Sequence, residues 1–256
     1  MSNKNDVKKQ FGRSADDYVK STIHSKGSDL KMLLKMANST GNEEVLDVAT
    51  GGGHTANAFA PFVRKVTAMD LTPEMLKAAE KFVEENGHTN VVFVEGDAEK
   101  MPFPDGNFDI VTCRIAPHHF PNIDKFISEV HRVLKSSGQF LLDDNVAPEN
   151  DEFDHFYNKI EKMRDYSHYR AWKKTEWIQK VELLGFEIQE ISRFEKRFEF
   201  ESWCDRMQLS KKEKDDLTER ILKAPEKVKH KFRIVIKDNE VKSFLGEAIL
   251  LSAVKQ

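Results

Sequence analysis

The sequence has few cysteines, no long apolar run and no excess of charge of either sign, and each absence argues against a class of protein. Two cysteines among 256 residues, Cys113 and Cys204, indicate neither a disulfide framework nor a cysteine-rich metal site. No apolar run approaches the ~20 residues that span a bilayer, and the polar N-terminus does not resemble a signal peptide. The formal net charge of -3 argues against a general nucleic-acid binder. We therefore expect a cytoplasmic protein without a membrane span.

What the sequence does have is an alternation of short apolar runs with longer amphipathic ones. Continuous apolar strands that alternate with helices are typical of a parallel sheet covered on both faces, and right-handed crossovers make such a sheet doubly wound. The pattern predicts an α/β, Rossmann-like, mostly parallel sheet. Its predicted strands are 45–49, 65–70, 91–94, 108–113 and 139–143, and its predicted helices are 54–62, 73–87 and 123–134, the last closed by Ser137 and Gly138.

The flanks of this alternation differ from it, and we expect one domain in three parts. Residues 1–40 form a helical N-terminal arm and a helix from about Ser28, and residues 41–148 form the core. Residues 149–256 contain aromatic and basic helices, a half-exposed strand at 186–191, a charged helical insertion at 201–231 and a final antiparallel strand at 243–254.

A glycine-rich loop joins the first predicted strand to the helix after it. The glycines at 51–53 permit backbone conformations closed to other residues and let a ligand approach the main chain. In doubly wound sheets ligands bind outside the carboxyl ends of the strands, where this loop would lie. Asp47 precedes the loop inside a buried strand, and a buried carboxylate needs a partner, such as the ammonium group of a ligand. The alternative is a tight turn that binds nothing.

Two further carboxylates follow the next predicted strands. Asp70 ends the second strand roughly 20 residues after the glycines, the offset of an acid that holds ribose hydroxyls. It could instead cap the next helix, but Thr72 is better placed for that. Asp97 follows the third strand, where a carboxylate can accept a hydrogen bond from an adenine amino group; a solvated turn is the alternative there.

Together these segments resemble the class I methyltransferases of the ubiquinone/menaquinone-biosynthesis type. The similarity covers about residues 11–144 and is specific as a set. One position departs from the family, because Ala49 stands where a glycine is usual; alanine is small enough to keep the approach to the backbone open. The matching segments are 11–18, 45–53, 69–76, 96–103, 108–111 and 132–135 with Gly138.

The resemblance implies S-adenosylmethionine as the cofactor and a small-molecule methyl acceptor. The residues that it assigns to the methionine part are Asp47, Ala49, Gly51, Gly53 and Arg114, with Tyr18 of the arm closing over it. Those that it assigns to ribose and adenine are Asp70, Leu71, Met75, Asp97 and Ala98. An apolar acceptor such as a quinone precursor fits the aromatic segment 153–177, and a small polar metabolite remains open.

The loop after the fourth predicted strand would lie over the transferred methyl group in this architecture. Its His118 or His119 could act as a general base near neutral pH, although either could instead be a structural hydrogen-bond donor. Adjacent histidines rarely face one ion, so no metal is expected.

Three other functions compete with a small-molecule methyltransferase. An NAD-dependent oxidoreductase is possible because residues 51–56 also satisfy the Gly-x-Gly-x-x-Gly/Ala pattern, but Asp47 would repel a pyrophosphate. A non-catalytic cofactor-binding module stays open. An RNA methyltransferase is disfavoured because the core lacks basic patches with interleaved aromatic residues. The sequence is compatible with a monomer or a homodimer.

Overall fold

The computed structural model describes residues 3–12 and 27–256, so the predicted contact of Tyr18 lies outside the described residues. The helices are α1 (Asn3–Gly12), α2 (Ser28–Ala37), α3 (His54–Phe59), α4 (Pro73–Glu85), α5 (Ile123–Val133), α6 (Asp151–Arg164), α7 (Lys174–Leu183), α8 (Phe200–Asp205), α9 (Lys211–Leu222) and α10 (Glu226–Lys231). The strands are β1 (Glu44–Val48), β2 (Lys65–Asp70), β3 (Val91–Glu95), β4 (Phe108–Arg114), β5 (Leu134–Val146), β6 (Phe186–Glu199), β7 (Val235–Lys237) and β8 (Glu240–Lys255). Short 3₁₀ turns at Ala60–Phe62 and Pro117–His119 follow α3 and β4.

The strands form one mostly parallel sheet, which confirms the predicted fold class. Its order is β3-β2-β1-β4-β5-β8-β6, and β7 pairs with β8 beside this path. Strands β1 to β5 pair in parallel, whereas β8 lies antiparallel between β5 and β6. The strand order reverses between β1 and β4, and in such sheets a ligand crevice opens at this point, outside the carboxyl ends of the strands.

Apolar side chains cover both faces of the sheet. The crevice therefore lies at the edge where the strands end and not on a face. One core cluster packs α5 residues such as Phe126 and Val130 against β4 and β5. Another packs Leu33 of α2 and Phe59 of α3 on the opposite face. A third cluster, which includes Trp203 and Phe244, joins the helical insertion to β8. The insertion is therefore anchored beside the sheet by its own apolar core.

Several element boundaries differ from the predictions; β5, for example, covers Leu134–Val146 rather than 139–143. Helix α5 ends at Val133 rather than at Ser137–Gly138, because Leu134 already pairs with Phe108 at the start of β5. Strand β6 continues past residue 191 to Glu199, since β8 pairs with it along that whole length. None of the helices within residues 3–12 and 27–256 is long and apolar enough to cross a membrane.

Candidate active site

A cavity of about 1020 Å³, partly open to solvent, lies at the carboxyl ends of β1, β2 and β4, and we call it the first cavity. Its walls come from the loops after these strands and from α1. Most of the predicted site residues meet in it, namely Ala49, Gly51, Asp70, Leu71, Met75, Asp97, Ala98, Arg114 and His119. Of the other described candidates, Asp47, Gly53 and His118 are not part of its lining.

The loop after β1 turns through left-handed backbone conformations. Ala49, Gly51 and Gly53 have φ angles of 54°, 55° and 79°. This backbone conformation favours glycine, yet Ala49 adopts it although alanine has a Cβ. Gly53 has a packing role, because a Cβ on it would lie 2.9 Å from the Cβ of Ala79 in α4. The glycine at 53 therefore lets α3 start close against α4.

Asp47 lies beneath this loop rather than in the cavity wall. Its side chain is buried, and its Oδ2 accepts a hydrogen bond from the Thr50 hydroxyl at 2.6 Å. Burial raises the pKa of Asp47 to about 7, although the Thr50 hydrogen bond opposes the shift. Asp47 thus supports the loop from below, and its pairing with a ligand ammonium stays a prediction.

Asp70 ties the loops after β1 and β2 together at the cavity wall. Its Oδ2 accepts from the backbone N–H of Gly51 and its Oδ1 from that of Thr72, both at 2.9 Å. Each oxygen keeps a further lone pair for a ligand donor. Burial raises the pKa of Asp70, and the backbone donors oppose this. Thr72 precedes α4, but contrary to expectation its hydroxyl does not cap the helix.

Helix α1 of the predicted arm covers the cavity near Asp97, and its ion pairs there were not predicted from the sequence. Nζ of Lys4 lies 2.6 Å from Asp97 Oδ2 and 2.6 Å from Glu99 Oε2. Val7 and Phe11 of the same helix also line the cavity. Val7 and Phe11 are four residues apart and so lie on one face of the helix. This spacing is the sequence feature from which the contact of the helix with the cavity could have been predicted.

Arg114 lies in a buried ion-pair cluster at the cavity edge. Its guanidinium contacts Asp29 Oδ2 at 2.5 Å and Asp143 Oδ2 at 3.2 Å. Burial raises the pKa of Asp143 to about 7. Burial would also raise the pKa of Asp29, but the charge of Arg114 holds it below its ordinary value. Arg114 therefore pins α2 to the ends of β4 and β5, and its contact with a ligand stays a prediction.

A second cavity adjoins the first on the side of β6 and the helical insertion. Phe11, Ile115 and His119 line both, so the two spaces meet at these residues. Ile115 has a φ of 54°, an outlier for a β-branched residue. Backbone strain of this kind clusters at functional sites, and no sequence motif indicates it.

The two histidines of the 3₁₀ turn occupy different positions. His119 borders both cavities, whereas His118 borders only the second. Nδ1 of His118 lies 2.6 Å from Asp144 Oδ1. Burial alone would lower the pKa of His118, but nearby carboxylates, foremost Asp144, raise it. Burial, helped by the charge of His118, lowers the pKa of His119 to about 4.

Comparison with known proteins connects this geometry to one enzyme family. A family model described as a methyltransferase domain matches residues 46–142. The chain is 36% identical over 247 residues to the uncharacterized methyltransferase YcgJ of Bacillus subtilis, which is 96% of this chain and 98% of that protein. The crystal structure of a provisionally assigned methyltransferase from Bacillus halodurans C-125 has 58% identity and a TM-score of 0.88, covering 90% of this chain and 99% of that one.

The core alone is similar to enzymes with a named acceptor. A demethylmenaquinone methyltransferase of Chlorobaculum tepidum is 40% identical over 108 residues, which is 42% of this chain and 43% of that protein. The full-length similarity to YcgJ, together with the domain match on the strands that build the first cavity, shows the family. The chain belongs to the family of class I methyltransferases.

Proposed function

We propose that the protein transfers the methyl group of S-adenosylmethionine to a small molecule. The observation that carries the proposal is the pair of adjoining cavities at the carboxyl edge of the sheet. A methyl donor in the first cavity and an acceptor in the second would meet at Phe11, Ile115 and His119. Alignment of nucleophile, methyl and leaving group, with water excluded, is what such a displacement gains from a protein.

The residues of the first cavity fit this cofactor. Asp70 keeps lone pairs for two ribose hydroxyls, and Asp97 presents a carboxylate for an adenine amino group once Lys4 yields it. Leu71 and Met75 also line this cavity, and their apolar side chains fit the faces of a nucleoside. When bound, the cofactor supplies an electrophilic methyl group on a sulfonium. The residues of this chain bind it, orient it and shield it.

The acceptor would occupy the second cavity, with His118 and His119 as the proposed catalytic residues. Aromatic side chains border this space together with charged ones. A quinone precursor or another aromatic metabolite fits such a lining. The similarity to the demethylmenaquinone enzyme covers the core only, so it supports the cofactor more than the acceptor.

Calorimetric titration tests whether the protein binds S-adenosylmethionine or, as the alternative function requires, NAD. We expect micromolar binding of S-adenosylmethionine and none of NAD. Asp70→Asn should weaken binding by about 1–3 kcal/mol because one charged acceptor is lost. Asp215→Asn, at an exposed position of α9, is the matched control. Binding of NAD alone, or unchanged affinity in Asp70→Asn, would contradict the proposal.

Turnover separates an enzyme from a cofactor-binding module. Candidate acceptors are incubated with the wild-type protein and S-adenosylmethionine, and release of S-adenosylhomocysteine is measured. We expect release that depends on the acceptor. Tight cofactor binding without release on any acceptor would favour the module instead.

A further inference from the structure

His118 and Asp144 form a buried dyad at the wall of the second cavity. Asp144 is fully buried on β5, and its Oδ1 also accepts the backbone N–H of Asn145 at 2.9 Å. A carboxylate only accepts hydrogen bonds, so the 2.6 Å contact puts the proton of a neutral His118 on Nδ1. Nε2 is then the basic nitrogen, and it has no hydrogen-bond partner among the described residues.

The backbone of His118 already ties its turn to a neighbouring segment. The backbone N–H groups of Tyr169 and Arg170 donate to the His118 carbonyl at 2.8 Å and 3.0 Å. These bonds already tie the 3₁₀ turn to the segment after α6. A buried imidazole–carboxylate pair beside a cavity therefore requires a separate explanation, because burying it is costly.

Charged groups from several elements set the protonation of His118. Carboxylates on β5 and at the end of α6 favour its charged form, while burial and the neighbouring imidazoles oppose it. His119 stays neutral beside it, so the dyad rather than the pair of histidines takes up a proton. The groups that face this cluster are Asp144, Glu161, Asp165, His119, His168 and Arg164.

The lining of the second cavity indicates the body of the acceptor. Four aromatic side chains border it, namely Phe11, Phe194, Phe198 and Trp203. Aromatic rings bind other rings by stacking and edge contacts. Glu161 and Asp165 in the same lining would hold an amine as its ammonium ion, which has no lone pair to accept a methyl group. A hydroxyl group, by contrast, keeps lone pairs on its oxygen with which it can accept the methyl group.

We propose that the acceptor is an aromatic hydroxyl compound and that Nε2 of His118, positioned by Asp144, removes its proton. The proposal rests on the methyltransferase function proposed above. The hydroxyl oxygen forms a bond to the methyl carbon while its proton passes to Nε2. The bond between that carbon and sulfur breaks, and its electron pair stays on sulfur. One positive charge thus moves from the sulfonium to the imidazolium.

A pair of phenols of different acidity tests the base. The probes are 4-methylphenol, which is neutral near pH 7 as tyrosine is, and 4-nitrophenol, which ionises in that range. His118→Gln should lower kcat at least about 100-fold with 4-methylphenol and far less with 4-nitrophenol, which needs no base. His155→Gln, at an exposed position of α6, is the control and should leave both rates unchanged.

The outcomes separate this inference from the cofactor assignment. Equal losses with both phenols, or cofactor binding without turnover on either phenol in the wild type, would overturn the inference. Failure of the wild type to bind S-adenosylmethionine would instead overturn the proposed function. Titration of the cofactor into each sample distinguishes the two cases.

A spectroscopic measurement tests the dyad without any acceptor. Nitrogen-15 NMR of the histidine rings should show the proton of neutral His118 on Nδ1 and a titration midpoint above the ordinary histidine value. Asp144→Asn keeps an acceptor oxygen but removes the charge, so it should move that midpoint, and the acidic limb of the pH–rate profile, to lower pH. A proton on Nε2, or a midpoint that Asp144→Asn does not move, would contradict the positioning role.

Discussion

Ala49 adopts a left-handed backbone with φ 54° at the point where β1 turns towards α3. For a residue with a Cβ this conformation costs about 1–2 kcal/mol. Glycine removes that cost but adds freedom to the unfolded chain. We expect Ala49→Gly to stabilise the protein by roughly 0.5–1 kcal/mol, measured from the urea midpoint.

A second alanine provides the control of opposite sign. Ala78 lies inside α4, where glycine costs about 1 kcal/mol relative to alanine. Ala78→Gly should therefore destabilise the protein while removing the same methyl group. If Ala49→Gly also destabilised it, the Ala49 methyl would be contributing packing that outweighs its strain.

Asp47 illustrates how a buried carboxylate weakens the folded state. Its pKa is about 7 in the folded protein, against 3.8 ordinarily. Folding therefore binds a proton between these values, and the free energy of unfolding falls as pH rises from about 4 to about 7. Asp47→Asn cannot titrate, and the Thr50 hydroxyl can turn to accept from the new amide.

The expected result is a pH-dependent gain in stability. Without ligand, Asp47→Asn should be more stable than the wild type by about 1–3 kcal/mol at pH 8 and nearly equal to it at pH 4. Urea unfolding at both pH values measures this, with Asp215→Asn as the exposed control. A gain of the same size at both pH values would show that burial of the charge is not its cause.

Among single residues, the sequence predicted those whose position follows from neighbouring segments of the chain. Gly51 and Asp70 follow from the loop and from its offset to the next strand, and a backbone hydrogen bond joins them. The pairing of Asp29 with Arg114 spans 85 positions, and no local pattern indicates it. Long-range ion pairs depend on how the helices dock, which the motifs do not describe.

Ion pairs help to hold helix α1 over the first cavity. Lys4 pairs with Asp97 and Glu99, and Lys8 lies 3.3 Å from Glu95. Partly exposed pairs contribute about 0.2–1 kcal/mol each. Lys4→Met should therefore raise the open population of α1 roughly fivefold, since about 1 kcal/mol corresponds to a factor of that size.

Hydrogen exchange measures this opening directly. Amides of residues 3–12 should exchange faster in Lys4→Met, while those of the sheet stay unchanged. Lys81→Met makes the same substitution at a longer and more exposed ion pair, with Glu85 on α4, and is the control. Unchanged exchange in α1 would mean that Val7 and Phe11 hold the helix without the ion pairs.

The parallel half of the sheet was more predictable than the antiparallel half for a physical reason. Strands β1 and β4 are buried on both faces and read as continuous apolar runs. Beyond residue 191, β6 alternates half-buried Phe194, Lys196 and Phe198 with exposed charged residues. The mean hydropathy of this part of β6 is low, although half-buried and exposed residues still alternate along it. The aromatic wall of the second cavity was therefore missed with the end of the strand.

Across the whole molecule, buried carboxylates gather at the carboxyl edge of the sheet. Asp47, Asp70 and Asp143 end or approach the ends of β1, β2 and β5, and burial raises the pKa of each. Charges concentrated at one edge oppose one another and favour protonated forms. A cationic ligand at this edge would reverse that preference, because an adjacent positive charge favours the ionised carboxylate.

Binding of S-adenosylmethionine should therefore release protons. Below pH 7 a fraction of Asp47 and of Asp143 is protonated in the free protein, and the cation binds best after they ionise. The association constant should rise with pH up to about 7, by no more than tenfold per pH unit for each proton released, and then level off. Calorimetry at pH 6 in buffers of different ionisation enthalpy counts the protons. Asp47→Asn should bind more weakly and with a flatter pH dependence; proton uptake by the wild type would show that the cation does not lie near these carboxylates.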